Sequence, residues 1–115
     1  MNDKDATLLK EIHRLCIAIE ERRSRFAIDE KGFSNDEALA NMLLMPAFQI
    51  GELSGRLSDD LILKTEKLVP WRAIKGFRNI IAHDYANVDA NWAWDTIVYD
   101  IPHLRENVET ILENA

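Results

Sequence analysis

The sequence predicts an all-α protein, a single domain of about five helices in an up-and-down bundle. Three observations carry that expectation. Leu, Ile, Ala, Glu and Asp dominate the composition, and the mixture favours helices. Only four glycines and three prolines occur among 115 residues, too few for a protein of many short strands and tight turns. Apolar residues recur at three- and four-residue steps along most of the chain, the spacing of one helix face. The length suits one domain with a sizeable core, and a hydrophobic content of 47% excludes a disordered chain.

The first helix is expected from about residue 4 to 26. Leu8, Leu9, Ile12, Leu15, Cys16, Ile19 and Phe26 form its apolar stripe, with charges on the other faces. Arg22, Arg23 and Arg25 suit the negative end of its dipole and read as solvated helix-end charges in preference to phosphate ligands. Cys16 is the only cysteine. It can form neither an internal disulfide nor a thiolate metal cluster, and it reads as core filler.

"IDEKGFSNDEA" reads as a loop, closed by a Ser34–Glu37 capping box that starts a second helix near residue 35. That helix holds Leu39, Met42, Leu43 and Met45 as core residues and then meets Pro46. Proline lacks a backbone donor and should kink or break the helix there. Helical spacing resumes through Phe48, Ile50, Leu53 and Leu57. Ser58, followed by Asp59 and Asp60, caps a short helix to about residue 67, and Pro70 opens another to about residue 83.

"HDYANVD" connects to a last helix, capped by Asp89 and running from about 90 to 113. Trp92, Ile97, Val98, Ile101, Leu104, Val108 and Ile111 are its expected inner face. Pro102 should bend it, with Asp100 re-capping the second part. No apolar run approaches the roughly 18–20 residues that cross a bilayer, and the charged N-terminus lacks the apolar block of a signal peptide. A cytoplasmic location without membrane attachment is expected.

The net charge of −6 argues against indiscriminate nucleic-acid binding. Its distribution is uneven. Between residues 64 and 83, Lys64, Lys67, Arg72, Lys75 and Arg78 face Glu66 alone, a local balance of +4. From Asp84 onward there are seven acids against Arg105. A basic segment within an acidic chain can engage phosphate while the remainder limits promiscuity.

Inside that basic segment lies "FRNIIAHDY", residues 77 to 85. The string "RNIIAHDY" resembles the signature of the HEPN superfamily, in which an arginine precedes a histidine near a helix end. It is most similar to the HepT family, the toxin half of HEPN–MNT toxin–antitoxin pairs, which places a tyrosine two residues after the histidine. "IGELSGRLS", "VPWRAIKGFRN", "VDANWAW" and "DIPHL" follow that family's pattern in the same order, over roughly the second half of the chain. The first 49 residues match only as generic helices.

The resemblance implies a metal-independent endoribonuclease without a cofactor, acting on RNA, plausibly tRNA. It also implies a homodimer whose two motifs face a shared cleft. An MNT-type nucleotidyltransferase antitoxin would neutralise it by transferring AMP to Tyr85. The residue types suit the chemistry. Internal RNA cleavage needs a base for the 2′-hydroxyl proton and positive charge on the phosphate. His83 supplies an imidazole, the side-chain type suited to the first task near neutral pH, and Arg78 offers a rigid donor fork for the second. Arg72 and Lys75 are candidate RNA-phosphate contacts. Asn79 is a supporting residue that positions the phosphate, orients a side chain or makes a structural hydrogen bond.

Geometry sets a limit. Five helical steps separate Arg78 from His83 by about 140° around an ideal helix and about 7.5 Å along it. They converge only if the helix ends near His83 or a second subunit completes the site. A bland assignment also fits: Arg78 on a helix surface, His83 favoured by the dipole, Tyr85 packing under the loop. His13 and His103 read as ordinary helix-surface or core-edge residues, and no two histidines have metal-ligand spacing. Trp71, Trp92 and Trp94 suit core or dimer packing better than base stacking. Two functions therefore compete: a ribonuclease toxin, or a non-catalytic helical module that binds a nucleotidyltransferase partner.

Overall fold

The amphipathic stripes of the sequence are largely buried as expected, but Phe26 and Met45, expected on the inner face, are exposed. The computed structural model describes residues 1–115, with helices and no strands. Helix α1 spans Asp3–Arg25, α2 Glu30–Asn35, α3 Glu37–Ser54, α4 Asp59–Thr65, α5 Trp71–Asp84, α6 Ala90–Asp95 and α7 Ile101–Glu113. A 3₁₀ turn, Tyr85–Asn87, follows α5, and a π-helical segment, Thr96–Asp100, joins α6 to α7. No helix is long and apolar enough to cross a membrane.

Helix α1 is the centre of the bundle, packing on α3 and on α7, while α3 also packs on α5. Leu9, Ile12, Cys16 and Ile19 are wholly buried in it, one residue per turn of a single face. Burial, with a smaller contribution from Glu20, pushes the Cys16 thiol up to about 12, so it stays a neutral core group. Arg105 holds α7 to α1 by pairing with Glu20 at 2.8 Å, and it also pairs with Glu109 of its own helix at 2.8 Å. Asp5 is buried near the start of α1. Its carboxylate accepts the Ser58 N–H at 3.0 Å and the Ser58 hydroxyl at 2.5 Å. Ser58 in turn caps α4 by accepting the Leu61 N–H at 3.2 Å, as its position predicts.

Several local expectations are corrected. The loop before α3 contains a helix of its own, α2, capped by Asp29. Asp36, and not Ser34, caps α3 by accepting from Ala38 and Leu39. The short carboxylate beside the helix start outcompetes a serine already committed to the preceding helix. Asp89 does cap α6 as predicted. Asp100 makes no capping bond, because its own backbone is helical and the preceding segment runs into α7 without a break. The chain instead widens into the π-helical segment, with the Ile101 N–H bonding the Thr96 carbonyl, directly before the donor-less Pro102.

Pro46 neither ends nor interrupts α3, which runs unbroken from Glu37 to Ser54. Its missing N–H would orphan the carbonyl of Met42, one helical turn earlier. Arg22 of α1 supplies the substitute, donating from Nη1 to the Met42 oxygen at 2.9 Å. The arginines at the end of α1 are therefore not simply solvated. Arg23 stacks over Trp94 with its Cζ 5.2 Å from the ring centre, and Arg25 stacks likewise over Phe26.

The two tryptophans of α6 divide. Trp94 is buried, 5.4 Å from the Phe33 ring. Trp92, expected on the inner face, is 39% exposed and lies 5.0 Å from Phe77. It stands at a groove between α5 and the α6–α7 run, floored by Ala47 and Ile50 of α3. The bundle is open along that seam.

Arg22→Ala should lower stability by about 1 kcal/mol, the net worth of one such hydrogen bond. In a Pro46→Ala background, residue 46 regains its N–H and the same substitution should cost close to nothing. Urea unfolding of the four variants tests this, and strictly additive effects would refute the substitution of one donor by the other.

Candidate functional site

Helix α5 carries every motif residue up to His83, and its seating decides what each can do. Trp71 is buried at its start and donates its indole N–H to Thr65 Oγ1 at 2.9 Å. Phe77 and Ile81 are buried further along. With that face committed, Arg72, Lys75, Asn79 and His83 fall within about 80° of arc on the opposite side. Arg72, Lys75 and His83 are exposed, and Asn79 is half-buried.

Arg78 lies off this stripe, and α5 continues as one helix to Asp84. The divergence of about 140° from His83 therefore persists within a single chain. The two side chains are not brought together.

Arg78 is instead held against α3 by four features. Its Nε donates to Glu52 Oε1, and its Nη1 donates to Asn79 Oδ1 at 3.0 Å. Its Cζ sits 5.4 Å from the centre of the Phe48 ring. Gly51 makes the approach possible. A Cβ there would lie 2.9 Å from Arg78 Cγ and closer still to its Cβ. Arginine has five N–H donors, and this socket engages one on Nε and one on Nη1. The remaining donors, on Nη1 and Nη2, form the terminal fork that grips phosphate oxygens. Only about a third of the Arg78 and Glu52 side chains is exposed.

Asn79 links the two motif residues. Its oxygen holds the Arg78 guanidinium, and it lies one turn before His83 on the exposed stripe, as residues four apart do. The observed bond to Arg78 fits two of the open roles for Asn79, orienting a side chain and making a structural hydrogen bond. His83 occupies the last turn of α5 and faces solvent.

Tyr85 departs from a simple modification site. It sits in the 3₁₀ turn and packs on the core, and its hydroxyl oxygen is buried without a hydrogen-bond partner. Burial first, and then the nearby Glu37 carboxylate, hold the phenol above its ordinary pKa. Sequence proximity to His83 thus does not bring the hydroxyl to the stripe.

No group of three or more His, Cys, Asp or Glu side chains is arranged to hold a metal ion. His13 faces Glu109 at 3.5 Å, and His103 lines the open groove near the start of α7. Sequence reasoning missed Glu52, Phe48 and Gly51. Gly51 carried a signal, since a helix-interior glycine is costly without a close neighbour.

The model of the family described as "Ribonuclease HepT-like" matches residues 15–111. A provisionally named RNase of Caldanaerobacter subterraneus subsp. tengcongensis is 34% identical over 88 residues, covering 72% of this chain and 78% of the relative. A provisionally named RNase of Methanocaldococcus jannaschii is 30% identical over 84 residues, covering 73% and 76%. A protein of Thermococcus cleftensis, provisionally named ribonuclease HepT, is 32% identical over 62 residues, or 54% and 56%. No solved structure matches at a significant level. The all-α fold, the arginine–histidine helix and a family match over most of the length agree: this chain belongs to the HepT-like ribonuclease family.

Proposed function

We infer that the chain is a toxin endoribonuclease that cleaves cellular RNA, plausibly tRNA, without a metal ion. The observation that carries this is the Arg78 socket: the guanidinium is fixed by Glu52 and Asn79 while its remaining terminal donors, on Nη1 and Nη2, stay free. His83 of one copy takes the 2′-hydroxyl proton as that oxygen attacks phosphorus. Arg78 stabilises the charge that builds on the phosphate oxygens. The bond to the 5′-oxygen breaks, and the departing oxygen is protonated by the imidazolium of the second copy's His83. Arg72 and Lys75 hold flanking phosphates from the exposed stripe.

The site is completed by homodimerisation. Arg78 and His83 diverge on one helix, and the seam beside that helix offers an apolar surface. Trp92 is 39% exposed there and Ile80, on α5, 46%. Gly76, also on α5, has nothing within 4 Å of where a Cβ would sit, so a second helix can approach closely. Trp94 is buried and contributes nothing to such an interface directly.

The Arg78–Glu52 pair also suits the second reading, a non-catalytic module that binds a nucleotidyltransferase, because structural arginines are held in the same way. Mutants separate the two. His83→Ala and Arg78→Ala should each lower RNA cleavage by about 100-fold or more, a usual size for loss of a general base or an oxyanion donor. Both should stay folded and lose toxicity on induction, and chelator should leave wild-type cleavage unchanged. Full toxicity of His83→Ala would favour the binding module.

Sedimentation should give about twice the 13.3 kDa chain mass. Trp92→Glu should yield a folded monomer that no longer cleaves RNA. An active monomer at micromolar concentration would refute the shared site.

Neutralisation is assigned to an MNT-type nucleotidyltransferase antitoxin. Tyr85 Oη attacks the α-phosphate of the antitoxin's metal-bound ATP and loses its proton, and pyrophosphate leaves. The product places a phosphodiester beside the motif, competing with RNA by charge and bulk. Because the hydroxyl is buried in the free chain, the 3₁₀ turn must open in the complex before transfer. Intact-mass measurement after co-expression should show one or more AMP additions mapping to the Tyr85 peptide. Tyr85→Phe should lack them and stay toxic, and its complete neutralisation would mean that the antitoxin acts by binding alone.

A further inference from the structure

Glu52 is the one acid whose carboxylate touches the motif arginine, and it comes from a different helix. Its placement is too specific for a chance surface pair. Gly51 and Glu52 follow Phe48 in α3 by three and four residues, so both share with it the face turned toward α5. Each meets Arg78 differently: the ring lies under the guanidinium, the missing Cβ admits the stem, and the carboxylate takes the Nε–H.

We propose that Glu52 is a positioning residue for RNA cleavage, fixing the Arg78 guanidinium so that its terminal nitrogens present a bidentate edge to the scissile phosphate. The inference rests on the ribonuclease reading and goes beyond the arginine and histidine that define the motif. Arginine loses rotamer freedom when it is fixed. A side chain ordered in advance does not incur that cost in the transition state. The carboxylate is bound on the Nε side, away from the Nη1–Nη2 edge, so it directs the fork without occupying it. The pairing also leaves Arg78 with little net charge. Its contribution is therefore directional hydrogen bonding, while Arg72 and Lys75 provide the unpaired charge that attracts RNA.

The experiment measures single-turnover cleavage and RNA affinity for wild type, Glu52→Gln, Glu52→Ala, Arg78→Ala and the double variant Glu52→Ala/Arg78→Ala. Glu52→Gln keeps an oxygen acceptor for Nε and should retain cleavage within about fivefold, as a neutral acceptor bonds roughly half as strongly as a charged one. Its pH profile should match that of wild type. Glu52→Ala releases the guanidinium and should lose about 10- to 100-fold in the cleavage step, a usual result of misplacing a catalytic group. RNA affinity should change by less than about threefold, since the exposed stripe that supplies it is intact. In the Arg78→Ala background, Glu52→Ala should add nothing.

Full activity of Glu52→Ala beside an inert Arg78→Ala would overturn this inference and leave the ribonuclease reading standing. An Arg78→Ala variant as active as wild type would overturn both. Equal loss in Glu52→Gln and Glu52→Ala, or a missing limb in the pH profile of Glu52→Gln, would make Glu52 a proton-transfer group and refute positioning. Should Glu52→Ala fail to fold, ¹H–¹⁵N spectra of the wild-type chain decide the matter. The Nε–H resonance of Arg78, assigned by its loss in Arg78→Lys, should exchange with solvent more slowly than those of the exposed arginines. Exchange as fast as theirs would refute the socket.

Discussion

How closely α5 can approach α3 depends on the absence of a single Cβ at Gly51. With any larger residue the stem of Arg78 would have to move outward, and Phe48 and Glu52 would no longer reach its guanidinium. The same approach seats Phe77 and Ile81 in the core and thereby turns Arg72, Lys75, Asn79 and His83 toward solvent. A glycine inside a helix costs roughly 1 kcal/mol relative to alanine. Here that cost is offset by core packing and by an arginine whose stem is buried and whose tip is free. Gly76 bears the same local cost with no neighbour in its own chain, consistent with an approach from outside.

The α3 side of the socket must itself be held in register, and Pro46 stands only five residues before Gly51. A break there would swing Gly51 and Glu52 away from the Met42 turn. Arg22 prevents this by replacing the missing N–H from a different helix, so the end of α1 supports the motif without approaching it. Pro102 is accommodated differently. No side chain substitutes for its donor; the backbone widens over Thr96–Asp100 instead. That adjustment allows α6 and α7 to continue as one run along the open seam, with Trp92 at one end and His103 further along.

The parts of this fold legible in the sequence were those set by neighbours three or four residues away. The helix stripes, the Ser58 and Asp89 caps and the start of α5 near Pro70 all follow from local spacing and hydrogen bonding. The all-α class followed from their sum, and the order of the motif segments identified the family. What escaped involves partners far apart in the chain. Glu52 and Arg78 are 26 residues apart, Arg22 and Met42 20, and Asp5 and Ser58 53. No periodicity encodes such pairings. Trp92 and Trp94 differ by two positions, about 200° around a helix, so they lie on nearly opposite faces of α6 and only one of them can be buried on a single face. The burial of the Tyr85 hydroxyl escaped for a related reason: adjacency to His83 in sequence says nothing about the direction taken after the helix ends. The choice between Ser34 and Asp36 turned on a short helix, α2, too brief to announce itself by periodicity.

The electrostatics of the α5 face reconcile a net charge of −6 with phosphate chemistry. Charges more than about 8–10 Å apart are largely screened at physiological salt. Acids remote from the stripe therefore matter less to a phosphate there than Arg72 and Lys75, which stand on the stripe itself. Screening acts far less on a half-buried hydrogen bond, and that is where Arg78 differs from them. Paired with Glu52 and braced by Asn79, it adds almost nothing to the long-range field. Its free donors nevertheless have fixed directions. Attraction and orientation are thus carried by different residues of one helix. A chain organised in this way can remain acidic overall, avoid holding every polyanion it meets, and still grip one phosphate firmly.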